Sequence, residues 1–126
     1  MSLGFVIGAG AVPCGRYVDR PIGSMASEAL NAALLDAGLG AEDVEAVVVG
    51  NALEGAMTGQ ECIRGEVMLR TTPFAGRSII NVENACASGA SAISPKSNRP
   101  RNGRNTAAQE EVHRLACVPR IHEARV

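Results

Sequence analysis

One cysteine stands among small residues in the stretch from Asn81 to Ile93, which reads NVENACASGASAI. The run before it is apolar and β-branched, and a helix is expected after it, so Cys86 is predicted to lie where a strand passes into a helix. The first N–H groups of a helix have no intrahelical partners. Together with the helix dipole they favour a thiolate at this position.

A cysteine in this setting is suited to acyl transfer, because a thiolate can attack a carbonyl carbon and then hold the acyl group. The same N–H groups would stabilise the oxyanion that forms during the attack. The small neighbours leave room for an acyl chain. The alternative is that Cys86 is only a small buried hydrophobic residue, as most free cysteines are. Position and spacing alone leave both interpretations open.

The elements that would position Cys86 alternate between strands and helices. Three apolar runs are predicted as buried strands, and they read GFVIGAG, EAVVVGN and RSIINVEN. Helices are predicted at Ser24–Ala37, at Gln60–Arg70 and from about Cys86 onwards, with Gly38 ending the first. The order β-α-β-α-β-α predicts an α/β fold with a parallel or mixed sheet and right-handed crossovers.

The second predicted helix contains a glycine, which costs about 1 kcal/mol relative to alanine in a helix interior. We therefore predict close packing of the backbone at Gly65. In the same helix, Ile63 and Val67 are predicted to face the core.

The character of the chain changes after Ile93. Residues 1–93 contain five Arg and ten Asp or Glu, whereas residues 94–126 contain seven Lys or Arg and three Glu. We therefore divide the chain into a domain at 1–93 and a basic tail at 94–126, which is predicted to be disordered or the product of a frameshift. A short helix is expected in the tail within NTAAQEEVHRLAC, where Thr106 and Gln109 form a possible capping box.

Several functional classes are disfavoured by composition. The formal net charge of −1 gives no general affinity for nucleic acid or for a membrane surface. The basic run PKSNRPRNGR has no aromatic residue nearby on which a base could stack. The N-terminus has no early Lys or Arg, and no apolar run is long enough to span a bilayer. The expected location is the cytoplasm.

Metal and dinucleotide sites are disfavoured by spacing. The four cysteines form no C-x-x-C pair, and neither His113 nor His122 has metal-ligand spacing to them. No metal site is therefore predicted. The segment GAGAVPCG has the first two glycines of a dinucleotide fingerprint, but Pro13 stands where the third glycine belongs.

The stretch around Cys86 resembles the nucleophile motif of the thiolases. Further segments resemble this family in the family's own order, over roughly residues 4–93: VIGAGAVPCGR, LLDAGL, AEDVEAVVVGN and GQECIRGEVMLR. The sequences of the last segment and of NVENACAS are most similar to those of the branch related to sterol carrier protein x. The pair Glu83-Asn84, with Ala87, favours a thiolase over a ketoacyl-synthase-type condensing enzyme, which remains the alternative enzyme class.

The resemblance implies a partial thiolase fold and a specific chemistry. Cys86 would be the catalytic nucleophile that carries the acyl group, and its main-chain N–H would be one oxyanion donor. The substrate would be a coenzyme A thioester, with no permanently bound cofactor. A homodimer would form through the edge strand Ser78–Asn84.

The chain also departs from the family pattern. The Gly-His-Pro, Cys-x-Gly-Gly and Asn-Glu-x-Phe motifs of the thiolases are absent, and His113, His122 and Cys117 have no family context. Thiolases are also several times longer and have two similar halves. The expectation is a truncated acyltransferase, inactive on its own. A truncated gene product with no enzymatic role is the third interpretation.

Overall fold

The computed structural model describes residues 5–94 and the strand Arg114–Cys117. Four helices and three strands follow one another in this part of the chain: α1 (Ile22–Ala37), β1 (Ala46–Gly50), α2 (Glu54–Thr58), α3 (Arg64–Leu69), β2 (Ser78–Val82), α4 (Ser88–Ile93) and β3 (Arg114–Cys117). Single 3-10 turns lie at Ala41–Asp43 and Ala85–Ala87. The strands form one sheet in the order β2-β1-β3, and both pairings are parallel. The predicted α/β class is confirmed.

The central strand is apolar throughout because helices cover both of its faces. Val47, Val48 and Val49 are each at most 1% exposed. Val47 and Val49 belong to the main core cluster, which also holds apolar residues of α1 and α3. Val48 points to the opposite face, since side chains alternate along a strand, and α4 packs against β1. The sheet is therefore a middle layer between helices.

Helix α1 follows directly from its sequence pattern. Its buried face consists of Ala26, Leu30, Ala33 and Leu34, at the spacing of a helical stripe. The helix ends at Gly38, whose φ of 68° lies in the left-handed region that glycine adopts readily. The predicted helix is confirmed, and it begins two residues earlier than expected. No helix among the described residues is long and apolar enough to cross a bilayer.

The predicted first strand is not formed. Phe5 and Val6 are 74% and 82% exposed, and residues 5–13 join no ladder. This segment instead lies along α1, where a Cβ on Gly10 would stand 2.1 Å from the carbonyl oxygen of Ala29. The prediction was wrong because a strand needs a partner, and both edges of β1 are already paired, one with β2 and the other with β3.

The second predicted helix, Gln60–Arg70, is shortened to α3, and the separate helix α2, which was not predicted, ends before α3 begins. Ile63 precedes α3 with a φ of 43° and is 61% exposed, so the prediction that it faces the core was wrong. The helix begins only at Arg64, which turns Met68 and Leu69 inward. The prediction for Gly65 is confirmed: a Cβ there would stand 2.7 Å from the side-chain oxygen of Asn81.

Part of the predicted tail is ordered into the sheet. β3 pairs with β1 in parallel, with Leu115 opposite Val47 and Cys117 opposite Val49. The helix expected within NTAAQEEVHRLAC is therefore wrong at Arg114–Cys117, because β1 offers these residues a hydrogen-bonding edge. The rest of that predicted helix, including Thr106 and Gln109, lies outside the described residues.

Candidate functional site

Cys86 lies in a short turn between the edge strand β2 and helix α4. The 3-10 turn Ala85–Ala87 follows β2 after two residues and leads directly into α4. The position at a strand-to-helix junction agrees with the sequence pattern. The thiol of Cys86 is exposed, so the interpretation of Cys86 as a small buried hydrophobic residue is wrong.

The residue before the cysteine has an unusual backbone. Ala85 has a φ of 43°, in a region where side-chain-bearing residues other than Asn and Asp are uncommon. Such a conformation costs on the order of 1–3 kcal/mol and persists only where the surroundings impose it. Here the N–H of Ala87 donates to the carbonyl of Asn84 at 2.8 Å. The N–H of Ser88 donates to the carbonyl of Ala85.

A buried hydroxyl completes the turn. Ser88 is 5% exposed. Its Oγ accepts the N–H of Asn84 at 2.9 Å and donates to the carbonyl of Ala85 at 2.8 Å. The side-chain amide of Asn84 in turn donates to Oγ of Ser91 at 3.1 Å, which ties the start of the turn to the next turn of α4.

The turn rests on the end of the central strand. A Cβ on Gly50 would stand 2.8 Å from the carbonyl oxygen of Ser88, so only glycine allows this approach without displacement. Beside it, the N–H of Asn51 donates to the carbonyl of Val82 at 3.3 Å. Both adjacent strand ends therefore fix the backbone that leads to Cys86.

A cleft of about 180 Å³ opens at the carboxyl ends of β1 and β2. Its lining residues are Val49, Asn51, Glu61, Ile63, Arg64, Asn81, Val82 and Glu83. The carboxyl ends of parallel strands are the usual place for ligands in α/β proteins. Cys86 does not itself line the cleft, which ends three residues before it.

A polar network holds the wall of this cleft. The guanidinium of Arg64 donates to the carbonyl of Asn51 at 2.9 Å and pairs with the carboxylate of Glu61 at 3.0 Å. Asn51 accepts the N–H of Glu54 at 3.1 Å, and both of these side chains are buried. The N–H of Gly65 donates to Asn81 at 2.6 Å.

Cys86 was predictable from the sequence, whereas this supporting network was not. Asn51 follows a buried strand directly, and polar residues at such positions often lie at a site in α/β folds. That signal was present in EAVVVGN. The contact of Asn51 with Arg64, 13 residues away, depends on tertiary structure that no local pattern displays.

The other candidate residues are dispersed. Cys14 and Cys62 are exposed on other parts of the chain. Cys117 belongs to β3, and His113 and His122 lie outside the described residues. Within the described part of the sheet, β2 pairs only with β1, so its second edge has no strand beside it.

These features define an α/β protein with an exposed cysteine in a strained turn at the carboxyl end of a parallel strand. A family model described as thiolase, N-terminal domain, matches residues 5–107. The chain therefore belongs to the thiolase family, and its fold is a partial thiolase-like N-terminal fold. The match does not select the branch related to sterol carrier protein x. A comparison with curated proteins gives no match.

Proposed function

We propose that the protein is a thiolase-type acyl-group acceptor in which Cys86 takes an acyl group from a coenzyme A thioester. The observation that carries this proposal is the exposed thiol of Cys86 directly after the left-handed Ala85. Strained backbone of this kind is concentrated at functional sites. Membership of the thiolase family supports a thioester as the acyl donor.

The proposed step is a thioester exchange. The thiolate of Cys86 attacks the carbonyl carbon, and the carbonyl oxygen receives the electron pair of the double bond. The tetrahedral intermediate then expels the thiolate of coenzyme A, which takes up the proton released by Cys86. An N–H donor beside the developing oxyanion lowers the barrier for this step.

We propose that the chain alone does not go beyond this acylation. Condensation of a second acyl group needs a base and a proton shuttle, and general acid–base groups contribute about 10²–10⁴-fold each. The chain's two histidines are His113 and His122, and neither carries the sequence context of the thiolase base. The family match favours this proposal over a ketoacyl-synthase-type enzyme.

The proposal is tested by incubating the purified chain with acetyl-CoA and mapping the acyl group by mass spectrometry. We expect one acetyl group on Cys86 and none after Cys86→Ala. The matched control is Cys62→Ala, which removes another exposed thiol and leaves the labelling intact. Equal acetylation of Cys14, Cys62 and Cys86, or acetylation of none, would contradict the proposal, as would multiple-turnover cleavage of acetoacetyl-CoA.

A further inference from the structure

The hydroxyl of Ser88 fixes the backbone on both sides of Ala85 in the turn around Cys86. Ser88 Oγ donates to the carbonyl of Ala85 at 2.8 Å and accepts the N–H of Asn84 at 2.9 Å. These two backbone groups flank the left-handed Ala85, whose φ is 43°. One buried side chain therefore holds both sides of the strained residue.

The carbonyl of Ala85 and the N–H of Cys86 belong to the same peptide group. The described residues contain no cis peptide bond, and in a trans peptide the C=O and the N–H point in opposite directions. Because the carbonyl of Ala85 points towards the buried Ser88, the N–H of Cys86 points away from Ser88. Among the hydrogen bonds between described residues, none uses this N–H as donor.

We propose that Ser88 is a positioning residue, which orients the Cys86 N–H as the oxyanion donor for acylation of the Cys86 thiol. This inference rests on the proposed function. The carbonyl of Ala85 also accepts the N–H of Ser88, so Ser88 holds this peptide plane by two bonds. Hydrogen bonds that share one peptide group polarise one another, which makes the Cys86 N–H a stronger donor. Ser88 acts through that peptide and does not touch the substrate.

Two reactions of the same thiol separate this role from a general effect on the fold. Acylation by S-phenyl thioacetate passes through an oxyanion on the attacked carbonyl, and acetyl is transferred to Cys86 as thiophenol leaves. Alkylation by iodoacetamide displaces iodide from a saturated carbon, so no oxyanion forms. The ratio of the two rates at Cys86 therefore reports on the oxyanion donor, whereas exposure and thiolate content affect both rates.

The test variant is Ser88→Ala in the full chain. Losing an oxyanion donor entirely costs about 10²–10³-fold in rate, and a misdirected donor should cost roughly 10-fold or more. We expect Ser88→Ala to lower the acylation rate by that factor and to leave the alkylation rate within about twofold. The conservative variant Ser88→Thr retains the hydroxyl and should retain the wild-type ratio.

A matched control exists elsewhere in the chain. Thr72 is also buried, and its Oγ1 likewise donates to one carbonyl, that of Leu69 at 2.7 Å, and accepts one N–H, that of Phe74 at 3.2 Å. Thr72→Ala removes the same pair of bonds from a different turn. We expect Thr72→Ala to leave the ratio of acylation to alkylation at Cys86 unchanged. The stability measured by denaturant unfolding should fall in both Thr72→Ala and Ser88→Ala.

The outcomes are distinct for the two proposals. If the wild-type chain is alkylated but not acylated at Cys86, the proposed function fails and this inference fails with it. If the wild type is acylated and Ser88→Ala keeps the same ratio, only the inference is overturned. If Ser88→Ala does not fold, the test falls to Ser88→Thr. A folded Ser88→Thr variant with a ratio of acylation to alkylation below the wild-type ratio would also overturn the inference.

Discussion

At the scale of single residues, Cys86 differs from the other described thiols by its surroundings and not by its access to solvent. Cys14, Cys62 and Cys86 are all exposed. Cys86 follows the left-handed Ala85 and lies two residues before α4, whereas Cys62 precedes the left-handed Ile63 and lies two residues before α3. Cys14 is adjacent to neither feature. Any difference in reactivity among the three thiols therefore reflects the local electrostatic environment and not solvent accessibility.

We predict that iodoacetamide labels Cys86 first at neutral pH. The thiol of Cys86 belongs to the turn between the left-handed Ala85 and the first N–H groups of α4, which are suited to stabilise negative charge on a reacting group. Alkylation for increasing times, with site assignment by mass spectrometry, measures the three rates in one sample. Cys14 is the internal control, and Cys62, two residues before α3, shows whether a helix start alone gives the same labelling rate. Equal labelling of the three sites would show that the turn does not activate the Cys86 thiol.

At the scale of elements, the backbone of α3 packs closely against side chains of the sheet at Gly65. The Gly65 N–H donates to Asn81 of β2, and the same Asn81 donates to Glu66 at 2.7 Å. A Cβ on Gly65 would also stand 2.8 Å from Ile79 and 2.9 Å from Val49. The helix thus bridges the two neighbouring strands that lead to the cleft and to Cys86.

We predict that Gly65→Ala destabilises the protein. Alanine is the better helix former by about 1 kcal/mol, but overpacking at a filled position costs about 1–3 kcal/mol, and Asn81, Ile79 and Val49 all have to move. Urea unfolding should show a lower midpoint than for wild type. Gly15→Ala is the control, because a Cβ there meets only the Tyr17 ring at 3.4 Å. A stabilised Gly65→Ala protein would mean that α3 does not dock as described.

The same elements show which parts of the fold a sequence can predict. Helix α1 was predictable because its apolar spacing and its terminal Gly38 are both local signals. The apolar segment at Phe5 reads equally well as a strand, but strand formation depends on a distant partner, and β1 pairs with β2 and β3. The left-handed Ile63 was not predictable either, because β-branched residues rarely adopt that conformation.

The site divides in a similar way. Cys86 was found because residue type, small neighbours and a preceding strand are all visible in the sequence. The contact between Asn51 and Arg64 was not predictable because it joins residues that are 13 positions apart. The bonds of Ser88 are local, but they depend on the left-handed backbone of Ala85, which no sequence pattern indicates. Polar side chains are buried at such places only because tertiary contacts satisfy them.

At the scale of the whole molecule, the sheet has an unprotected edge. β2 carries no charged side chain along Ser78–Val82, and within the described strands its outer edge has no partner. Ile79, Ile80 and Val82 are only partly buried. A bare edge of this kind is a template for pairing with another chain.

We predict that the protein is a homodimer joined through Ser78–Asn84 of two copies, or that it aggregates through this edge. An antiparallel pairing about a two-fold axis at Ile80 is self-complementary, and it would set Arg77 of each copy opposite Glu83 of the other. Light scattering coupled to size-exclusion chromatography at micromolar concentration should give about twice the mass of 13.0 kDa.

The variant Ile80→Lys tests the geometry of this dimer, because the two-fold axis would bring the two introduced ammonium groups together. Like charges directly opposite each other destabilise paired strands, so this variant should elute as a monomer at concentrations where the wild type is dimeric. The control Leu35→Lys adds the same charge on the exposed face of α1, where Leu35 is 83% exposed, and should leave the dimer intact. Circular dichroism establishes that both variants are folded. A monodisperse wild-type monomer, or a dimer that tolerates the lysine at position 80, would show that the edge of β2 is not the interface.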